Sequence, residues 1–367
     1  MGTRARRVIR RTGLIALGAV FAVAPWMSGA LPRASGEVSR PAVGETRVFS
    51  RVPHPGSGGG VVVDGDTVWV AALGFGDADV DRWPVWAHDR RTGAGKADHT
   101  FTVGRSAPTV MGLRGMARDA QGRLYVVDMN GRVLRATVTS AGGRRELEGY
   151  ATIPGHGNGA AQVPWPAGPS MPVDITFDAA GNAYLPDITL PAIWRVPPGG
   201  GEAALWFVDP KLQGAGFGTA ATTLAPNGRD LYFSLCLSSS PHHPLEGVIY
   251  RIPVDRPTAS QMTEVFRSPD SCPAGLAFGS SGKLYASLLL ANQVLVLNPD
   301  GSEQRRFPSK EANARQQIPY DSPGLLALDG EGWLLVSNEA LTTPEHSAIL
   351  KAFVDDSPAP LAEPSLP

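Results

Sequence analysis

Short apolar runs joined by tight polar turns recur along most of this chain. The most regular stretch is GMARDAQGRLYVVDMNGRVLRA, residues 115–136. It reads as strand, turn, strand, turn, strand, because apolar and polar positions alternate within each run and Asp, Asn and Gly cluster between the runs. Related pairs of runs are VVVDGDTVWVAAL (61–73), MARDAQGRLYVVD (116–128), ITFDAAGNAYLPD (175–187), TTLAPNGRDLYFSL (222–235), LAFGSSGKLYASL (276–288) and LALDGEGWLLVSN (326–338). Each turn carries the residues that accept positive φ or bond their own backbone, as a tight hairpin requires.

The copies lie about 50–60 residues apart, the spacing of a propeller blade. Further runs follow each hairpin, such as RVLRATV (132–138) and ELEGYATI (146–153), or QVLVLN (293–298) and EQRRF (303–307), so each repeat supplies four strands. The last repeat has only AILKAFV (348–354) after its hairpin, while TRVFSRV (46–52) precedes the first repeat unclaimed. The pattern predicts an all-β, six-bladed β-propeller whose last blade is closed by the N-terminal strand, which removes the open sheet edge.

With strands named a to d from the axis outward, the a–b turns share one face of the disc with the c–d turns. The b–c loops and the links between blades share the other. The long segments 74–84, 154–171, 236–247, 309–323 and 338–347 all belong to that second face, which makes its channel mouth the expected pocket.

Composition sharpens this in two ways. The net charge of −1 and 18% charged residues offer no basic field for nucleic acid. The N-terminus carries Arg4, Arg6, Arg7, Arg10 and Arg11, then LIALGAVFAVA (14–24), then Ser28-Gly29-Ala30, a secretory signal pattern. The expected organisation is a signal peptide (1–30), a linker (31–44), the propeller (45–356) and a disordered tail (357–367). The mature protein is expected to be secreted or periplasmic, monomeric, and without a membrane span once the signal is removed; an uncleaved anchor is the alternative. In such a compartment Cys236 and Cys272, at one face of adjacent blades, are expected to form a disulfide.

Candidate chemistry gathers where a-strands start and b-strands end. Asp128, Asp174, Asp187 and Asn338 could hold a hard divalent cation through oxygen. The competing reading is that these side chains cap turns or bond nearby amides. Asp174 interrupts an inner strand and needs a partner there, and Arg114 on the neighbouring blade could supply it. Arg114 is equally a candidate for binding substrate. Asp77, Asp79 and Asp81 alternate like an incomplete calcium loop. His243 is a candidate acid or base beside His242 in a loop that also reads as a plain surface turn, and His156 and His346 have weaker claims. His88 lies in a strand and reads as structural. No GxSxG elbow, HExxH or P-loop occurs.

GMARDAQGRLYVVDMNGRVLRA, MPVDITFDAAGNAYLPD and CPAGLAFGSSGKLYASLLLANQVLVLNPDG together resemble the six-bladed propellers of the senescence marker protein/gluconolactonase family, and also NHL-repeat propellers, over roughly residues 45–355. The resemblance implies a calcium or other divalent ion at the channel mouth that polarises a lactone or ester carbonyl, with a carboxylate activating water. On that reading Asp174 is ligand or base, with Asp128, Asp187 and Asn338 as further ligands. Where the family opens with Glu-Gly-Pro, this chain reads GGGVVVDG (58–65). The NHL resemblance implies instead a propeller that binds a ligand or a protein without chemistry.

Overall fold

The computed structural model describes residues 40–74, 80–105, 111–138, 145–154 and 169–367. The expected signal peptide and most of the linker lie outside the described residues. Among the described residues, no helix is long and apolar enough to cross a membrane. Residues Pro41–Pro367 form one compact unit.

That unit is nearly all β and consists of six antiparallel sheets arranged as a six-bladed propeller. From the axis outward, blade one is Ser57–Asp64, Thr67–Leu73, Arg82–Asp89 and Phe101–Gly104. Blade two is Leu113–Arg118, Leu124–Asp128, Arg132–Val138 and Arg145–Thr152, extended by the short parallel strand Gly201–Glu202. Blade three is Thr176–Phe177, Ala183–Pro186, Ala192–Val196 and Ala204–Val208. Blade four is Thr219–Leu224, Asp230–Leu235, Glu246–Pro253 and Thr263–Pro269. Blade five is Pro273–Phe278, Leu284–Leu288, Gln293–Leu297 and Glu303–Phe307.

Blade six takes Pro323–Leu328, Trp333–Asn338 and Ala348–Phe353 from the C-terminal side, and its outer strand is Thr46–Arg51. Thr46 pairs with Ala352 and Val48 with Leu350. His88 of blade one, buried on a neighbouring strand, bonds Ser50 Oγ through Nδ1 at 2.9 Å and so ties this closing strand to the first blade. Burial holds the His88 pKa below its usual value. Joining the two ends of the chain in one sheet leaves the ring no open seam.

The b- and c-strands are buried on both faces because blades stack on each other. Leu124–Asp128 and Thr67–Leu73 are buried at every position. Layers such as Tyr125, Tyr150 and Phe177, with edge-to-face rings 4.7–4.9 Å apart, fill the wedge between blades two and three. Cys236 and Cys272 are bonded to each other, Cα to Cα 3.9 Å apart, linking the end of blade four's second strand to the start of blade five.

The inner strands of blades one, two, four, five and six each carry a bulge near the end where the strand begins, at Gly58/Val61, Leu113/Met116, Thr219/Thr222, Pro273/Gly275 and Pro323/Leu326. A bulge removes residues from the ladder and turns their backbone groups elsewhere. In blades four and five the bulges present the carbonyls of Ala220 and Ala274 to Arg114.

Residues 357–367, expected as a disordered tail, pack instead against the a–b hairpin face. Ala359 and Leu366 are buried, and Ala359 N donates to Phe278 O at 3.0 Å. The apolar positions in this Pro-rich stretch give it something to bury, which composition alone did not reveal.

Removing residues 41–52 should leave Ala348–Phe353 as an exposed edge and open the ring. The shortened chain is expected to aggregate or to lose its cooperative melting transition, measurable by size-exclusion chromatography and circular dichroism. A monomer melting like the full chain would contradict the closure.

Candidate functional site

Arg114 stands at the axis, 4% exposed, and its side chain reaches four other blades. Its Nε donates to Glu339 Oε1 of blade six at 3.1 Å. Its Nη1 donates to Val173 O at 3.2 Å and Ala220 O at 2.8 Å, and its Nη2 to Ala274 O at 3.0 Å. Ala220 and Ala274 lie in the bulges of blades four and five, so their carbonyls are free of the ladder. Blade one meets the backbone of Arg114: a Cβ on Gly60 would come within 2.2 Å of Arg114 O. The GGG run of blade one is therefore a requirement of close packing at the axis.

Arg114, expected to bind substrate, thus engages four acceptors from within the fold. The carboxylate it pairs with is Glu339 rather than Asp174. Burial raises the Glu339 pKa, and the Arg114 charge and hydrogen bond partly offset that rise. Glu339 directly follows Asn338, at the end of the sixth hairpin, and is not among the residues singled out from the sequence.

The other expected ligands are engaged locally. Asp128 accepts from Asn130 N at 3.0 Å and pairs with Arg132 Nε at 2.6 Å. Asp187, wholly buried, accepts from Ser170 Oγ at 2.7 Å and Trp194 Nε1 at 2.9 Å, and from the amides of Thr189 and Leu190. Asn338 Oδ1 accepts from Asp321 N at 2.7 Å, while its amide donates to Pro319 O and His346 O. Among the described residues, no group of three or more His, Cys, Asp or Glu side chains is placed to hold a metal ion. A calcium site needs six or so convergent oxygens, and these side chains turn theirs to separate loops. Among the described residues, Asp128, Asp187 and Asn338 do not fit the implied ion.

The histidines follow suit. His243 is exposed on the blade-four loop and pairs with Glu246 at 3.1 Å. His242 is exposed beside it. His346 Nδ1 lies 3.0 Å from Asp321 Oδ2, which also accepts from Thr343 N at 2.9 Å, an arrangement that folds the 338–347 loop onto blade six. Asp77, Asp79 and His156 lie outside the described residues; Asp81 receives Arg105 N on its backbone oxygen.

Asp174 differs from all of these. It is 6% exposed, and its two carboxylate oxygens accept one backbone amide each, Ile175 N and Thr222 N, both at 2.9 Å. Burial raises its pKa from 3.8 to about 6, with the two amides and the Arg114 charge opposing the rise. A shift of that size makes the ionised form about 3 kcal/mol less favourable than in water. By linkage, this contribution to stability is full below the unfolded pKa of 3.8 and is lost as pH rises through about 6.

Asp174 also lines a cavity. A space of about 620 Å³ lies along the axis on the hairpin side of Arg114, walled by inner-strand residues including Val62, Ala117, Thr176, Thr223, Ala277 and Ala327. Arg90, Arg118 and Asp329 stand toward its hairpin end, and residues 358–363 of the C-terminal segment cross it. The strand order predicts a pocket at the loop-rich mouth. Arg114 and Glu339 occupy the axis toward that mouth, so this cavity lies at the other end.

No family model matches the chain, and no curated protein does. Solved structures do share the fold. A calcium-binding regucalcin from Agrobacterium tumefaciens is 14% identical with a TM-score of 0.58, over 87% of this chain and 97% of that one. A structure assigned as a gluconolactonase is 16% identical with a TM-score of 0.55, over 87% and 95%. A streptogramin B lyase is 15% identical with a TM-score of 0.52, over 84% and 96%. At this identity the likeness is one of fold.

Arg114→Ala should cost about 3–5 kcal/mol, because it strands Glu339 and three carbonyls at the axis. Glu339→Gln should cost less, since an amide oxygen still accepts from Nε. Urea unfolding of both single variants and the double variant checks this. Additive losses would mean that the pair is not coupled.

Proposed function

We propose that the chain is a propeller that binds a small molecule in the channel cavity, with Asp174 as its polar anchor. One observation carries this: a buried inner-strand carboxylate that caps no turn lines a cavity of ligand size. Drug-sized ligands occupy pockets of roughly 300–1,000 Å³ lined mainly by apolar groups with a few polar ones. The small apolar walls, the Thr176 and Thr223 hydroxyls and the Asp174 carboxylate suit a molecule with an apolar body and one hydrogen-bond donor or positive charge. Above about pH 6 Asp174 is ionised and accepts only. The basic and apolar N-terminal run supports reading the protein as exported.

A second reading, hydrolysis of a lactone or ester, is favoured by a further property of Asp174. Each of its oxygens accepts one amide and retains a lone pair, and its pKa of about 6 suits a general base. It would take a proton from water as that water attacks the carbonyl carbon, and return it to the alkoxide oxygen as the acyl C–O bond breaks, leaving an acid and an alcohol. The fold shared with a structure assigned as a gluconolactonase supports this reading. Asp128, Asp187 and Asn338, expected beside Asp174 as metal ligands, are engaged by their own loops.

Titration with N-phenyl-1-naphthylamine, a neutral apolar amine, tests the binding site. Asp174→Asn should weaken its affinity about tenfold, the loss of one charge-assisted hydrogen bond. Ala277→Phe should abolish binding by filling the channel without touching Asp174. Equal affinity in wild type and Ala277→Phe would overturn the reading. A panel of lactones and aryl esters then separates the two functions. Turnover that rises with pH through about 6, levels off above it and falls in Asp174→Asn would favour the hydrolase.

A further inference from the structure

The a–b turns of blades two, three and six each carry a carboxylate at the same register position, where blade four has Ala225. In blade two Asp119 accepts from Gln121 N and Arg123 N, at 3.0 and 2.9 Å, and from Tyr125 OH at 2.9 Å. In blade three Asp178 accepts from Asn182 N and from Tyr184 OH, both at 2.9 Å. In blade six Asp329 accepts from Glu331 N at 2.7 Å and Trp333 N at 3.0 Å. The partners fall two, four or six residues after the Asp.

Blade five has Gly279 at that position, followed by Ser281 and Tyr285 at the same offsets. Its turn still contains a carboxylate, supplied by Asp356 from the C-terminal segment. Asp356 accepts from Ser281 N at 3.2 Å and Tyr285 OH at 2.9 Å, and from the Ser281 hydroxyl. A Cβ on Gly279 would fall 2.0 Å from Asp356 Oδ2. The backbone of Gly279 is not in the left-handed region, so the obstacle to a side chain there is Asp356 itself.

From this anchor the segment runs across the hairpin-side mouth of the channel. Ser280 N donates to Ser357 O at 2.7 Å, and Pro358, Ala359, Pro360, Leu361, Ala362 and Glu363 line the cavity. On the far side Ala120 N donates to Pro364 O at 3.2 Å, and Arg118 pairs with Glu363 at 2.5 Å. Leu366 packs into the apolar layer between blades two and three.

We propose that residues 356–367 are a releasable strap over the ligand cavity, latched by Asp356 in the turn position that Gly279 leaves vacant. The gating role rests on the channel being the binding site; the latch does not. The contacts support release without unfolding. The strap adds no strand to any blade; it is held by one isolated bridge at Gly279 and Pro358, by side-chain bonds and by the buried Ala359 and Leu366, while Leu361 between them is 56% exposed. Ligand enters when the strap lifts, and the strap forms the remaining wall when it returns.

Gly279→Asp tests the latch and keeps the blade folded. The new carboxylate takes Ser281 N and Tyr285 OH as its counterparts do in blades two and three, and it displaces Asp356. Hydrogen exchange should then accelerate about tenfold or more at the amides of Ala120, Ser280 and Ala359, with the blade amides unchanged. N-phenyl-1-naphthylamine should associate about tenfold faster than with wild type. Gly279→Asp lacking residues 356–367 should match that rate. Unchanged exchange at Ala120 and Ser280 in Gly279→Asp would overturn the latch. Faster exchange with an unchanged association rate would overturn the gate. Absence of probe binding in every form would overturn the gate together with the cavity reading, while the exchange data still decide the latch.

Discussion

A ring of wedge-shaped sheets has a structural problem at its centre, where the inner strands converge and no outer layer remains to pack. Here one buried guanidinium meets that demand. Arg114 leaves blade two and bonds blades three, four, five and six, while its backbone lies against the glycines of blade one. A buried cation is tolerable only if it is paired and its donors are satisfied. Glu339 provides the charge, and the inner-strand bulges provide carbonyls that the ladders do not use. The bulges, the glycine run and the buried acid are thus parts of one arrangement, and none of them makes structural sense alone.

That arrangement decides where a ligand can go. With Arg114 and Glu339 on the axis, the space along it lies on the hairpin side, and the long b–c loops lie on the other. Loops on a rigid scaffold are a sound general expectation for a binding site. Among the described residues, several loop carboxylates and amides are used to fold the loops themselves. Asp187 secures the start of blade three, and Asp321 and Asn338 secure the loop that ends blade six.

The propeller was legible because its signal is periodic and local. Each hairpin repeats the same alternation and the same turn residues, and the leftover strand at 46–52 matched the leftover gap in the last blade. The role of Asp128 was legible in kind, since turn capping is also a local effect, and Asn130 N lies two residues away. The Arg114–Glu339 pair was not legible, because 225 residues separate its members and neither belongs to a motif. Nor was the role of residues 357–367, whose Pro-rich composition is that of a linker. Asp356, just before them, is meaningful only beside Gly279, and nothing along the chain joins the two.

In a repeat protein the repeated residues solve the folding problem, and a departure from the repeat calls for its own physical account. At the inner-strand position of Asp174 the other blades have Gly60, Gly115, Ala221, Gly275 and Leu325. A glycine suffices there for packing: a Cβ on Gly115 would come within 2.4 Å of Asp174 Cα. Asp174 does link two blades through the Ile175 and Thr222 amides, but the other junctions of the ring manage without a carboxylate at this position. Burial raises the Asp174 pKa and the repeat demands no carboxylate there, in keeping with its proposed role as the ligand's anchor. The blade-five turn argues in the same way. Gly279 weakens its own turn, and the carboxylate that repairs it arrives on a segment that crosses the cavity Asp174 lines. The two departures from the repeat border one channel, Asp174 near Arg114 and the C-terminal segment at the hairpin-side mouth, which is why the proposed site and the proposed strap belong to the same cavity.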